Sequence, residues 1–368
     1  SSYTYLSNMS DKKAKKTKPT SDELLDSDDE VTTGFKIKFL DEPGDSDHDQ
    51  GGDQDNERGS EEGTGETIED RESHITFQGN ISLLDHRTLT QYIFPSVANY
   101  NFKSWDKFFS DSVVDLSQLV FNIKWFEFFD TVYKKKYFGK IQTILSKVIQ
   151  KKTTIVPYPE LIFNAFNILS PQNIKVVIIG QDPYFNINKI NGKNIPQAMG
   201  CSFSVPLNYP KPPSLANIYK NLHNYGHVAE IPVTGNLSFW IIQGCLMINA
   251  AFTTIHGKAN AHKDTWKEFT RDLIKYINSV CEKIVFMAWG KDAHMLCLNI
   301  DPTRHEIITS SHPSPFSAAS EYSGLAYGLD IKMRKQVTYP PFNQTDHFGL
   351  ANEYLLSVGK TGIIWDLF

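Results

Sequence analysis

A chain of 368 residues with 40% hydrophobic content can hold one large domain or two small ones around a real core, which excludes disorder throughout. The net charge of −5 hides a division: residues 1–74 carry 21 acidic against 9 basic side chains (net −12), and residues 75–368 carry 21 against 28 (net +7). No apolar run approaches the roughly 20 residues that span a bilayer, and the first residues lack the apolar core of a secretion signal, so a soluble, intracellular chain is expected.

The first methionine is Met9, and nothing is built on residues 1–8. Lys12-Lys13-Ala14-Lys15-Lys16-Thr17-Lys18 has the composition of a nuclear address or a phosphate-binding arm, although lysine-rich tails are commonly neither. The acidic run Asp22-Glu23-Leu24-Leu25-Asp26-Ser27-Asp28-Asp29-Glu30 and the Gly/Asp/Glu/Gln stretch over 44–72 hold too little apolar surface to offset the entropy of ordering. Residues 1–74 are therefore expected to be a disordered tail with one short sticky island at 34–40. A solubilising role is the simpler reading, and docking of a replication or repair protein the more specific one.

Aromatic residues become dense from about Tyr92, and Phe126, Phe128, Phe129, Tyr133, Tyr137 and Phe138 lie among lysines at helical spacing, an amphipathic lead-in. Four apolar runs of strand length follow, at 175–179, 245–248, 283–288 and 306–309, with helical patterns between them at 214–224, 265–280 and 292–298. Strands alternating with helices predict βαβ units with right-handed crossovers. The expected fold is α/β, a three-layer α/β/α domain on a central four-stranded parallel sheet. Expected boundaries are a disordered tail over 1–74, a helical lead-in over 75–120 and a catalytic domain over 121–368.

The four cysteines, Cys201, Cys245, Cys281 and Cys297, are far apart and form no C-x-x-C pair, so they read as reduced core or near-core residues rather than zinc ligands, cluster ligands or disulfides. The chain lacks G-x-x-x-x-G-K-[ST], G-x-G-x-x-G and G-x-S-x-G motifs, which argues against nucleotide-dependent transfer and a serine nucleophile elbow. No metal or cofactor is expected.

In a parallel sheet the residues just after each strand rim the ligand cleft. They are Gln181-Asp182-Pro183-Tyr184, Asn249, Trp289-Gly290 and His312-Pro313-Ser314-Pro315. Proline stiffens the turn after Asp182, so the carboxylate is aimed. Taken alone, Asp182 is most simply a turn residue and His312 a satisfied loop histidine. Their joint placement with Asn249 points to a cofactor-free hydrolase on a basic domain.

At these residues the chain resembles the family-1 uracil-DNA glycosylases, whose water-activating loop reads G-Q-D-P-Y and whose DNA-intercalating loop reads H-P-S-P. Residues 180–184 and 312–315 match both, and 200–205, 212–220, 243–249, 259–263 and 266–270 match in the same order. The resemblance runs from about residue 121 to the C-terminus. It implies hydrolysis of the bond between uracil and deoxyribose in single- or double-stranded DNA, by a monomer in the nucleus or another DNA-containing compartment.

In the family's pattern Asp182 positions the attacking water, and neutral His312 donates a hydrogen bond to uracil O2, helped by backbone N–H groups of Gln181 and Asp182. Asn249 reads the uracil edge, Tyr184 stands against C5 and Phe203 stacks on the base. Ser214, Gly290 and Ser314 hold phosphates, and an apolar wedge, usually Leu and here Phe316, fills the gap left by the flipped base.

Phe185 and Met199 stand where the family has histidines, and Lys291 stands where it has serine, offering a phosphate contact. Residues 186–195 and 319–344 read as surface insertions, the second carrying Lys332, Arg334 and Lys335. Two other functions are compatible with this sequence: a glycosylase fold serving chiefly as a DNA-binding or polymerase-associated module, and a glycosylase for thymine mismatches. The intact Asp182, Phe203 and His312 oppose the first; Tyr184 and Asn249 oppose both.

Overall fold

The structure, a computed structural model, describes residues 94–120, 122–328 and 330–367. The acidic tail, its sticky island, the polylysine run and the expected docking segment lie outside the described residues.

The helical lead-in expected over 75–120 is described only from residue 94. There, helix is limited to the single turn Trp105–Phe108 and the 3-10 turn Leu116–Leu119. This stretch is nonetheless pinned to the domain: Trp105 is buried and donates from Nε1 to the Pro157 carbonyl at 2.8 Å. The aromatic pattern downstream does form helices, α1 (Phe126–Tyr133) and α2 (Lys136–Gln150). Their inward faces meet α4 (Lys263–Val280), which buries Trp266, Phe269, Leu273 and Ile277 at helical spacing. Phe128, Phe129, Phe163 and Phe252 surround Phe269 with ring centroids 5.3–6.2 Å away, mostly tilted or edge-on.

The sheet consists of β1 (Val176–Gly180), β2 (Cys245–Asn249), β3 (Val285–Trp289) and β4 (Glu306–Ser310). All neighbours pair in parallel, in the order β2-β1-β3-β4. β1 and β3 are buried along their whole length because helices cover both faces, which is why these strands read as unbroken apolar runs. α3 (Pro213–Asn224) lies in the first crossover, α4 in the second and α5 (Gly290–Cys297) in the third; α6 (His347–Ser357) follows and packs on β3 and β4. The three-layer α/β/α architecture matches the expectation from sequence.

The order β2-β1-β3-β4 reverses direction between β1 and β3, and open α/β sheets bind ligands outside the carboxyl ends of the strands at such a switch point. Both expected insertions are antiparallel ribbons: Ile187–Ile190 pairs with Lys193–Pro196, and Tyr322–Leu325 with Gln336–Tyr339. All four cysteines are free and buried. Among the described residues no helix is long and apolar enough to cross a membrane.

Candidate active site

Beyond the carboxyl ends of β1, β2 and β4 lies a cavity of about 220 Å³. Gln181, Asp182, Tyr184, Phe203, Asn249 and His312 all line it, with Ser214 and Ser314. The sheet brings together residues that are 130 positions apart in sequence.

Asp182 is held by Asn260, a residue outside the cavity lining. Its Oδ2 accepts the backbone N–H of Asn260 at 2.6 Å, while the Asn260 side-chain oxygen accepts from Gln181 Nε2 at 3.0 Å. Asn260 adopts φ +58°, a left-handed conformation that asparagine tolerates better than most residues. Burial raises the Asp182 pKa above the ordinary carboxylate value; the Asn260 bond opposes that, Asp292 adds to it, and Lys263 opposes it. Lys263 is itself paired with Asp292 at 2.7 Å.

His312 is kept neutral and in one tautomer. Burial lowers its pKa to about 4. The backbone N–H of Ser314 donates to Nδ1 at 3.0 Å, so the single proton of the neutral ring resides on Nε2. The loop carrying it is closed by Ser317, whose hydroxyl donates to the His312 carbonyl at 3.0 Å, and tied to α3 by Asn217, whose amide donates to the Pro313 carbonyl at 2.8 Å.

Phe203, with φ +62°, turns its ring toward His312 and Trp289, at centroid distances of 5.9 and 5.6 Å. Tyr184 donates its hydroxyl to the Phe203 carbonyl at 3.1 Å, which fixes the tyrosine against the phenylalanine turn. Asn249 closes β2 opposite Gly180.

The residues expected from sequence to face DNA divide. Ser214 and Ser314 line the cavity, whereas Lys291 is exposed and Phe316 is 97% exposed, both outside the lining. Gly290 is buried at φ +81°, and a Cβ added there would stand 2.9 Å from the His312 Cβ. Of the two departures near the water loop, Met199 is wholly buried, its sulfur accepting the Ser204 hydroxyl at 3.1 Å. Phe185 lines the cavity, and its carbonyl accepts from the Gly257 N–H and from His256 Nδ1, each at 3.0 Å.

Reading the sequence missed Asn260, Asn217 and Ser317. Residues 217 and 260 stood inside matching segments, yet a role played through a backbone N–H or a second loop leaves no residue-type signal. Among the described residues no group of three His, Cys, Asp or Glu side chains is arranged to hold a metal ion.

Comparison with known proteins gives the family. Residues 166–329 match the model of the uracil DNA glycosylase superfamily. A "Probable uracil-DNA glycosylase" of Acanthamoeba polyphaga mimivirus is 49% identical over 293 residues, covering 80% of this chain and 78% of that protein. A uracil-DNA glycosylase of Campylobacter jejuni subsp. doylei is 36% identical over 255 residues, 69% of this chain and 97% of the relative. The crystal structure of mimivirus uracil-DNA glycosylase superposes with a TM-score of 0.72 at 50% identity, covering 76% of this chain and 99% of that one. With the fold and these relatives in agreement, the chain belongs to the uracil-DNA glycosylases, hydrolases of N-glycosyl bonds.

Proposed function

We propose that the chain hydrolyses the N-glycosidic bond of deoxyuridine in single- and double-stranded DNA, releasing uracil and leaving an abasic site that starts base excision repair. The observation that carries this reading is the convergence of Asp182, Tyr184, Phe203, Asn249 and His312 on one cavity at the sheet's switch point.

The target base lies inside a stack, so it must be flipped out before any group in the cavity reaches it. Phe316, held out on the closed loop after His312, is the wedge that fills the vacated space. Ser214, Ser314, Lys291 and the Gly290 turn hold the phosphates on either side, and the +7 charge of residues 75–368 draws the strand in. Phe203 stacks on the flipped base. The Asn249 amide pairs with uracil N3–H and O4; cytosine reverses that pattern and leaves buried groups unpaired at about 1–3 kcal/mol each. Tyr184, locked by its bond to Phe203, stands where thymine carries a methyl group.

As the glycosidic bond lengthens, positive charge grows on the sugar and negative charge on uracil. The Asp182 carboxylate stabilises the first and orients a water toward C1′; the water's oxygen bonds to C1′ and becomes the new hydroxyl of the abasic sugar, and the proton it loses passes to the carboxylate and from there to solvent. His312 Nε2–H, with backbone N–H groups of Gln181 and Asp182, stabilises the second as a uracil anion. A neutral imidazole fits this task because it donates a bond without having to surrender a proton.

The chain acts as a monomer in a nucleus or other DNA-containing compartment, with residues 1–74 a separate acidic tail available to a replication or repair protein, 75–120 a lead-in and 121–368 the catalytic domain. Uracil release from a deoxyuridine oligonucleotide tests the proposal: wild type turns over without added metal, and Asp182→Asn binds the strand but does not. A wild type that releases no uracil at any salt concentration would sink it.

A further inference from the structure

Beside the catalytic cavity lies a larger groove, about 810 Å³, between residues 100–107 of the lead-in and the hairpin Ile187–Ile190/Lys193–Pro196. Its lining includes Lys103, Lys107, Lys189 and Lys193 against a single carboxylate, Asp106, which already accepts the Ser104 hydroxyl at 2.6 Å. All four lysines are exposed, and none forms an ion pair among the described residues. Half-buried Phe102 also lines it, packed edge-on to Tyr100 at 5.1 Å.

We infer that this groove binds the DNA strand on one side of the flipped nucleotide, lysines on successive phosphates and Phe102 against a base. The inference rests on the glycosylase reading above and extends its footprint to segments that the resemblance left as a lead-in and a surface insertion.

Three observations support it. Lysines free of ion pairs, one of them (Lys193) bonded only to the Tyr100 carbonyl at 3.3 Å, over an aromatic floor are the pattern of single-strand grooves, where the cations track the backbone and the ring accepts any base. The groove adjoins the cavity through one contact between two residues: Phe185 lines the cavity, and its carbonyl takes a hydrogen bond from His256, which lines the groove. A strand leaving the cavity past Phe185 is thereby directed toward the groove that holds the lysines. The hairpin is also a firm wall rather than a loose loop. Asn191 and Gly192, at φ +49° and +76°, form the tight turn that matches strand twist, and Gln197 N–H bonds the Asn186 carbonyl at 3.0 Å to close its base.

The test compares wild type with the variant Lys103→Gln/Lys107→Gln/Lys189→Gln/Lys193→Gln. Substrates are single-stranded oligonucleotides with one nucleotide on each side of deoxyuridine, or with a long extension on the 5′ or the 3′ side. Wild type is expected to favour one of the two extended substrates in kcat/KM, and the variant to lose about tenfold of that preference at low salt. Binding of an undamaged strand, read without turnover, should lose about 0.7 in log–log salt slope for each lysine that contacts phosphate. A folded variant with the wild-type length preference and salt slope overturns the groove. Lys189→Glu, on the exposed hairpin, carries the same comparison if the fourfold variant fails to fold. Absence of uracil release by wild type would refute the enzymatic reading instead, while the binding slope still judges the groove.

Discussion

Gly180 and Asn249 are partners in parallel register at the ends of β1 and β2, and the Asn249 Oδ1 occupies the space where any side chain at position 180 would begin. The glycine is thus what lets the Asn249 amide, proposed to read the base, lie across the strand end. Gly180→Ala should leave the fold intact, since its Cβ meets one flexible amide and the Ser202 Cβ at 3.0 Å. It should lower kcat/KM on deoxyuridine by at least tenfold, about 1.4 kcal/mol, by turning that amide away. Steady-state kinetics beside a thermal melt separates the two effects.

Tyr184→Ala should make thymine release measurable. The change removes a ring fixed by its bond to the Phe203 carbonyl and opens room for a methyl group at C5. Thymine-containing oligonucleotides, with uracil release as reference, check this; a variant that loses uracil activity and gains nothing on thymine contradicts the role assigned to the tyrosine.

The acid limb of the pH profile should lack an inflection at 6.5, the ordinary histidine value, because burial keeps His312 neutral down to about pH 4. Activity should fall at lower pH as Asp182, whose pKa burial raises, and His312, whose pKa burial lowers to about 4, take up protons. Stability should move with the same groups. His262, His312 and His347 have folded-state pKa values of about 4, 4 and 3, below the unfolded value of 6.5. Between those limits the unfolded chain binds more protons, so their contribution is complete above about pH 6.5 and is lost on acidification. The loss reaches at most about 1.4 kcal/mol per pH unit for each histidine. Thermal midpoints measured from pH 7 to 4 follow it.

Asn260→Ala should reduce turnover more than Asn260→Gly. Both delete the side-chain bond to Gln181, but at φ +58° alanine is strained by about 1 kcal/mol and shifts the N–H that holds Asp182, whereas glycine is not. Equal kcat values for the two variants would remove the backbone of Asn260 from the account.

Phe316→Ala should change stability by less than about 0.5 kcal/mol, since the side chain is 97% exposed and its neighbours do not depend on it. Uracil release from duplex should fall further than release from a single strand, because only the duplex needs its stack held open. Parallel assays on the two substrates decide this.

The sheet was legible because β1 and β3 are buried on both faces and so appear as unbroken apolar runs, and the cleft followed from where a parallel sheet puts its strand ends. Asp182, Asn249 and His312 were legible for the same reason: each lies at or just after a strand. What could not be read depends on backbone groups and tertiary placement. The tautomer of His312 is set by the Ser314 N–H, and the aim of Asp182 by the Asn260 N–H, and neither donor depends on a residue type. Gly290, read as a phosphate contact, also serves as the space that the His312 Cβ needs. Met199, which stands where the family has a histidine, is a core residue that accepts the Ser204 hydroxyl, a placement its residue type alone did not give.

The chain's four cysteines are all buried, and burial raises every one of their thiol pKa values. Such thiols present little thiolate to a reagent. An engineered Phe316→Cys would therefore be the single readily labelled position, so a maleimide fluorophore placed there would report insertion into the base stack in real time, on the unmodified background, with no native cysteine to remove first.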